Sequence, residues 1–322
     1  MGRDIAAQAA LSRNYLFLTI ASCAIATLGL IGNSVAVIIG AMIIAPLISP
    51  IQAFAFGALA GDPAVVRRSL VTAGAGALIA VLVSSALALV TGIATYGSEI
   101  AARTRPTLLD LAIAVAAGAV TGFAQVRPGI ANTVAGTSIA VALMPPLCVV
   151  GISLAGGQWS WAQGAALLFG TNFLGIALAC MIVYLVAGGI ERHSRLGIVT
   201  TALCTAALLI PLSASSIEIV RESRIEAAIR RELLANTVTF RRVSLIAAHF
   251  DWYVNPVAVR LDVSSDRPVS PSQVHDLEQF VRRRTGRTVS MTINVSRYDT
   301  VTDAAASQAT PQPATPNVPT QP

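Results

Sequence analysis

Long stretches of this chain carry no charge. Residues 14–61, 69–98, 111–126, 128–190 and 196–217 contain no Asp, Glu, Lys, Arg or His. A helix needs about 20 predominantly apolar residues to cross the hydrocarbon core of a bilayer, and runs of this kind can hold one or two such helices each. A soluble domain has about 25% charged residues. This chain of 322 residues has 12%, with 54% apolar residues, and its mean hydropathy is +0.69. The composition points to an integral membrane protein. It argues against a disordered chain, a disulfide-framed secreted domain and a conventional soluble enzyme.

The runs divide into seven expected spans, near residues 14–31, 34–59, 69–91, 109–126, 133–155, 161–187 and 197–213. Ile20-Ala21-Ser22-Cys23 has the look of a lipoprotein cleavage site. The apolar stretch before it is shorter than the about 7–15 residues of a signal-peptide core, so this segment is expected to be a retained first span. Arg3, Arg13, Arg67, Arg68, Arg127, Arg192 and Arg195 fall at ends that share one side, while the short loops of the other side hold Arg103 and Arg105. The positive-inside rule then puts residues 1–13 in the cytoplasm, beneath the inner or plasma membrane. Seven spans put the C-terminal region outside, in the periplasm or extracellular space. Thirteen arginines between Arg221 and Arg297 oppose that placement, but long soluble domains translocate largely regardless of charge. The seventh span is short and ends at Pro211. Without it the C-terminal region is cytoplasmic.

Residues 214–300 change character and are expected to form a small soluble α-β-β-α-β domain. Ser215 to Asn236 reads as a charged amphipathic helix. Val243 to Trp252, Val257 to Val263 and Val289 to Val295 read as strands, the second alternating Val257, Val259, Leu261 and Val263 against Arg260 and Asp262. Ser270 and Pro271 mark the start of a helix that runs to Arg284. Residues 301–322 are uncharged beyond Asp303 and rich in Ala, Thr, Pro and Gln, a composition expected to be disordered. The basic C-terminal third suits lipid headgroups better than nucleic acid, which is not expected as a partner.

The second and fifth spans differ from ordinary crossing helices. Each begins with an Asn and a hydroxyl residue, Asn33-Ser34 and Asn132-Thr133, which is a helix-capping pattern. Each runs about a dozen residues to prolines near mid-membrane, Pro46 and Pro50 in one and Pro145-Pro146 in the other. Proline removes an amide hydrogen and clashes with the preceding turn, so both helices are expected to break. Broken backbone in lipid is tolerated only where it is buried in protein or lines a wet cavity. An offset of 100 residues superposes Pro46-Leu47 on Pro146-Leu147 and Gly57 on Gly157. Residues 14–91 and 109–187 thus read as two three-span repeats, and an odd span number inverts the second. Secondary transporters use this arrangement and bind substrate where discontinuous helices meet. The candidate substrate-binding set is Asn33, Ser34, Ala45, Pro46, Pro50, Asn132, Thr133, Thr137, Ser138, Pro145, Pro146 and Asn172. Packing alone is the alternative account of the kinks.

Other features are expected to be structural. Asp62, ahead of Pro63, reads as the cap of the third span. Gly57/Gly61 and Gly118/Gly122 have the spacing of close helix packing. Cys23, Cys148, Cys180 and Cys204 lie in apolar runs without a CxxC pair, as buried filler. His193, His249 and His275 lie outside the runs. No nucleophile triad, phosphate loop or zinc motif is present, so no catalytic residue, metal or cofactor is expected and the chain is not read as an enzyme.

The segment Asn33-Ser34 through Gly40-Ala41-Met42-Ile43-Ile44-Ala45-Pro46-Leu47, followed by Gly61-Asp62, resembles a bacterial and archaeal membrane family known as domain of unknown function 389. Gly136-Thr137-Ser138 through Leu143-Met144-Pro145-Pro146-Leu147, with Gly151 and Asn172, looks like its second signature. The resemblance covers about residues 14–190 and implies no activity, substrate or cofactor. The expected fold is an all-α polytopic membrane domain, residues 14–213, with two inverted three-helix repeats, a seventh span and a small C-terminal α+β domain. The leading functional expectation is a transporter or channel-like protein for a small solute or ion. The alternative is a membrane-anchored oligomeric scaffold or sensor whose C-terminal domain binds a partner. The lipid bilayer is the expected surroundings, and a homo-oligomer stays open.

Overall fold

A computed structural model describes residues 10–92, 96–127, 143–187, 195–235, 243–251, 257–265, 270–285 and 289–296. The chain divides into two compact units, Met1–Ile219 and Val220–Pro322. In the first, the helices are α1 (Arg13–Ile31), α2 (Val35–Ile44), α3 (Ile48–Ala60), α4 (Pro63–Thr91), the single-turn α5 (Ser98–Ala101), α6 (Leu108–Val126), α7 (Met144–Ala155), α8 (Trp159–Val186) and α9 (Arg195–Ala235), the last continuing into the second unit. Five of them, α1, α4, α6, α8 and the Arg195–Ile217 part of α9, are long and apolar enough to cross a membrane, and α2 with α3 passes the same test as one segment bent by 50°. The described helices are compatible with a multi-pass membrane domain.

Local sequence sets the helix ends. Ser12 caps α1 by accepting from Tyr15 N at 3.1 Å. Asp62 caps α4, as expected, by accepting from Ala64 N at 2.9 Å and Val65 N at 3.2 Å, with Pro63 where no amide is needed. Thr107 and Asp110 form a reciprocal capping box at the start of α6. Gly61 and Gly92 end α3 and α4 in the left-handed conformation, at φ 71° and 60°. One boundary departs from expectation. The seventh span and the amphipathic helix after it are one helix, with Pro211 inside it. A proline removes one amide from the ladder, and the polar-to-apolar change in residues around it does not alter the helical period.

In lipid, helices associate through close van der Waals contact of small residues rather than by burial from water. α6 and α8 show this most clearly. A Cβ placed on Gly118 would lie 2.7 Å from Ile176 Cα, and one on Gly122 would lie 3.1 Å from Cys180 Cα. Contacts advance together along both chains, so the two helices are parallel, and the expected tight packing at this glycine pair is present. α1 and α4 are also parallel: Tyr15 donates its hydroxyl to Thr72 O at 3.1 Å, and Cys23 its thiol to Ala80 O at 3.1 Å. α2 returns antiparallel to α1, with Gly29 beside Val37 and Ile38. At Gly57 a Cβ would lie 2.8 Å from the side chain of Val65, which closes the α3–α4 corner.

The end of α1, α5, the end of α7 and the start of α8 lie together. Asn33 Oδ1 accepts from Glu99 N at 3.0 Å, Tyr96 stacks on Trp161 at 5.1 Å, Gly156 abuts Tyr96, and Gly164 abuts Thr104. α7 therefore points the same way as α1 and α4. α9 begins against the last turn of α3, where Gly197 meets the Ala58 carbonyl, and its Ser216 hydroxyl accepts from Leu108 N at 2.9 Å at the start of α6.

The second unit holds β1 (Val243–Asp251), β2 (Val257–Ser265), α10 (Pro271–Thr285) and β3 (Val289–Ser296), in sheet order β1-β2-β3. β1 and β2 are antiparallel, with a bulge at Ile246 between the pairs Leu245↔Val263 and Ala247↔Asp262. β2 and β3 are parallel, which requires a crossover, and α10 supplies it. The expected alternation is present: Val259, Leu261 and Val263 are buried with Met291, while Arg260 is exposed. Glu278 on α10 accepts from Met291 N at 2.9 Å, tying the crossover helix to the strand.

Gly118→Val is expected to destabilise the helical unit by about 1–3 kcal/mol, the usual consequence of overpacking. Gly74→Ala, with nothing within 4 Å of the added carbon, should be neutral or stabilising. Unfolding titrations in detergent followed by helical circular dichroism check the pair. Equal effects at both sites would contradict the packing described here.

Candidate functional site

The α2–α3 interruption follows from one imino acid. Pro46 has no N–H to give the carbonyl of Met42, so the ladder stops. Ala45 still donates to Ala41 O at 3.2 Å and is itself extended, at φ −64° and ψ 125°. The chain turns by 50°, and Ser49 N then donates to Pro46 O at 3.3 Å as α3 begins. Pro50 is the third residue of α3, where the amide has no intrahelical acceptor anyway. Ala45, Pro46 and Ser49 are half-buried, and Leu47 and Pro50 are buried.

The second proline pair sits differently. Met144 opens α7, and Pro145 and Pro146 are its second and third residues. Prolines in the first turn sacrifice no hydrogen bond. They start a helix here, and both are buried. Asn132, Thr133, Thr137 and Ser138 lie outside the described residues.

The Pro46 break and the start of α7 occur at one level. Ala41, one turn before Ala45, accepts at its carbonyl from Ser22 Oγ at 2.7 Å. Cys148, one turn after Met144, has its Sγ 3.5 Å from Cys23 Sγ. α2 runs against α1 and α7 runs with it. Both features therefore fall one turn nearer the start of α1 than the Ser22–Cys23 level. α2 touches α7 directly. Leu47, Leu143, Met144 and Leu147 belong to one buried apolar cluster.

The polar chemistry at this level is unusual in its balance. The carbonyls of Met42, Ile43 and Ile44 lie at the negative end of the α2 dipole. The N-terminal turns of α3 and α7 would ordinarily present amides, but Pro50, Pro145 and Pro146 delete donors there. Among the described residues these prolines remove donors from both helix starts, and none of residues 45–50 or 143–147 is ionisable.

One turn into α3 lies an element that the sequence alone did not assemble. Gln52, 6% exposed, donates from Nε2 to Thr121 O at 3.3 Å and accepts at Oε1 from Gln125 Nε2 at 2.8 Å. Thr121 in turn donates to Ala117 O at 2.9 Å. The signal was there: each glutamine stands in an otherwise apolar run, and a buried amide needs partners. What sequence could not supply was that they partner each other.

The remaining candidates scatter. Asn33, at φ 50°, caps α5 through its bonds to Ser98 Oγ and Glu99 N. Ser34 stands at the N-cap position of α2 without a side-chain capping bond. Both sit at the end of the helical unit, about ten residues of α2 away from Pro46, or roughly 15 Å at 1.5 Å per residue. Asn172 is buried at 4% exposure in α8. Its neighbour Phe173 stacks on Phe54 of α3 with ring centroids 5.4 Å apart, so it adjoins the α3 side of the interruption.

Gln52→Leu is expected to cost about 1–3 kcal/mol, because it leaves a buried amide and carbonyl unpaired. Gln52→Leu with Gln125→Leu should cost less than the sum of the two single changes. A double-mutant cycle on unfolding in detergent measures that coupling, and strict additivity would rule out the pair as a unit.

Residues 42–178 match the sequence profile of a family described as domain of unknown function (DUF389). An uncharacterized protein of Methanocaldococcus jannaschii is 28% identical over 174 residues, which cover 54% of this chain and 54% of that protein. The chain thus aligns with about half the length of this curated relative. No solved structure matches it significantly.

Proposed function

Residues 42–178 belong to the DUF389 family, whose description assigns no activity, and from that premise we propose that the chain is a transporter or channel-like protein for a small solute or ion. The observation that carries this reading is that the Pro46 break and the proline-led start of α7 fall at one level along α1. Irregular backbone at membrane depth is otherwise expensive, and two independent kinks need not share a level.

The reading includes seven crossings and two inverted three-helix repeats. Several contacts support it. The first and third helices of each repeat pack in parallel with nearly the same residue separation, 57 for Tyr15–Thr72 and Cys23–Ala80. It is 58 for Gly118–Ile176 and Gly122–Cys180. Contacts between repeats correspond: α4 meets α7 where α8 meets α3, and α1 meets α7 where α6 meets α3 through Gln52. The course of α9 from the end of α3 to the start of α6 supports a seventh crossing. Residues 214–300 then face the side opposite the N-terminus, outside the cytoplasm.

Acceptor-rich, donor-poor lining suits a small cation or a neutral solute that donates hydrogen bonds, and disfavours an anion. The reading assigns no catalytic step, and the bilayer is the chain's partner.

Purified protein in proteoliposomes should pass at least one member of a panel of monovalent cations, small anions and small neutral solutes. Pro46→Ala, and Pro145→Ala combined with Pro146→Ala, should each change that flux by roughly tenfold or more, equivalent to about 1.4 kcal/mol on a barrier. Folded variants with unaltered flux would end the transport reading. A reporter active only outside the cytoplasm, fused after residue 300, should be active, and an inactive fusion would remove the seventh crossing.

A further inference from the structure

Cys23 and Cys148 come from helices 125 residues apart in sequence, yet their sulfur atoms lie 3.5 Å apart. Both side chains are fully buried. The Cys23 thiol donates to Ala80 O at 3.1 Å and lies 3.8 Å from Thr27 Oγ1. The Cys148 thiol points at Cys23 O, 3.8 Å away. The pair therefore joins α1, α4 and α7, one turn from both helix interruptions. Neither Cys180, which donates to Gly118 O at 3.3 Å, nor the exposed Cys204 has a recorded sulfur partner among the described residues. A disulfide bond is about 2.05 Å long, so closing this one needs the sulfurs, 3.5 Å apart, to approach by about 1.5 Å.

We propose that Cys23 and Cys148 form a vicinal-in-space dithiol that oxidises to an intramolecular disulfide, a redox modification site that fastens the second turn of α7 to α1. Two S–H bonds break and one S–S bond forms. The two hydrogens and two electrons pass to a membrane-permeant two-electron acceptor, such as a diazene, which is reduced to the hydrazine. Such an acceptor must be small and membrane-permeant, because both sulfurs are fully buried. The link would fix α7 against α1. This proposal stands on the sulfur geometry and not on the transport reading.

The test uses the full-length protein in lipid vesicles treated with diamide, then denatured and alkylated to count free thiols. The four thiols of the untreated chain should fall to two. Non-reducing peptide mapping should join the fragment containing Cys23 to the fragment containing Cys148, and reduction should separate them. Cys180→Ser should retain the link, and Cys148→Ser should abolish it. Four surviving thiols, or a link that persists in Cys148→Ser, would overturn the proposal. The mapping of the unsubstituted chain decides the matter by itself if either variant fails to fold.

Discussion

Hydrogen bonding of the backbone governs this molecule. In a bilayer there is no water to satisfy a stray amide or carbonyl, so every departure from helix has to be accounted for by protein groups. Three of the helix starts meet that requirement with short polar devices, Ser12, Asp62, and the Thr107–Asp110 box. The exceptions lie inside. The break at Pro46 has no such device, and it is flanked by the half-buried Ala45 and Pro46 and the buried Leu47. Everything else in the helical unit, from the tight glycine contacts to the buried amide pair, holds neighbouring helices close enough to enclose that point.

Under the repeat reading, the two halves treat equivalent contacts with different chemistry. Where α1 meets α7, the groups are thiols and hydroxyls, weakly polar and compact. Where α6 meets α3, they are carboxamides joined by a 2.8 Å bond.

Much of the fold was legible in residue order. Uncharged runs place α1, α4, α6 and α8 to within a few residues, except that α4 begins six residues early, because Asp62-Pro63 starts a helix before the apolar run does. Alternation in Val257–Val263 gave the central strand, since only a half-buried strand keeps Arg260 on one face and Leu261 on the other. Continuity through Pro211 was not legible: a proline lowers the stability of a helix without forbidding it, and neighbours decide. At the site, Pro46 announced its own break through the missing amide. The capping pattern Asn33-Ser34 did not disclose which turn it serves: Asn33 caps a turn 65 residues later in the chain. The Gln52–Gln125 and Cys23–Cys148 pairs are tertiary facts, and no periodicity in one chain segment encodes them.

The central claim is that the Ala45–Pro46 interruption belongs to a polar passage and not to dry packing. Ala45→Cys in a Cys204→Ser background, probed in intact vesicles with a membrane-impermeant maleimide, tests it most directly. Ile39→Cys, on the exposed apolar side of the same helix, is the reference. The account predicts that the thiol at position 45 is labelled from the aqueous phase while the one at position 39 is not. Equal protection of both positions, in protein shown to be folded, would contradict it.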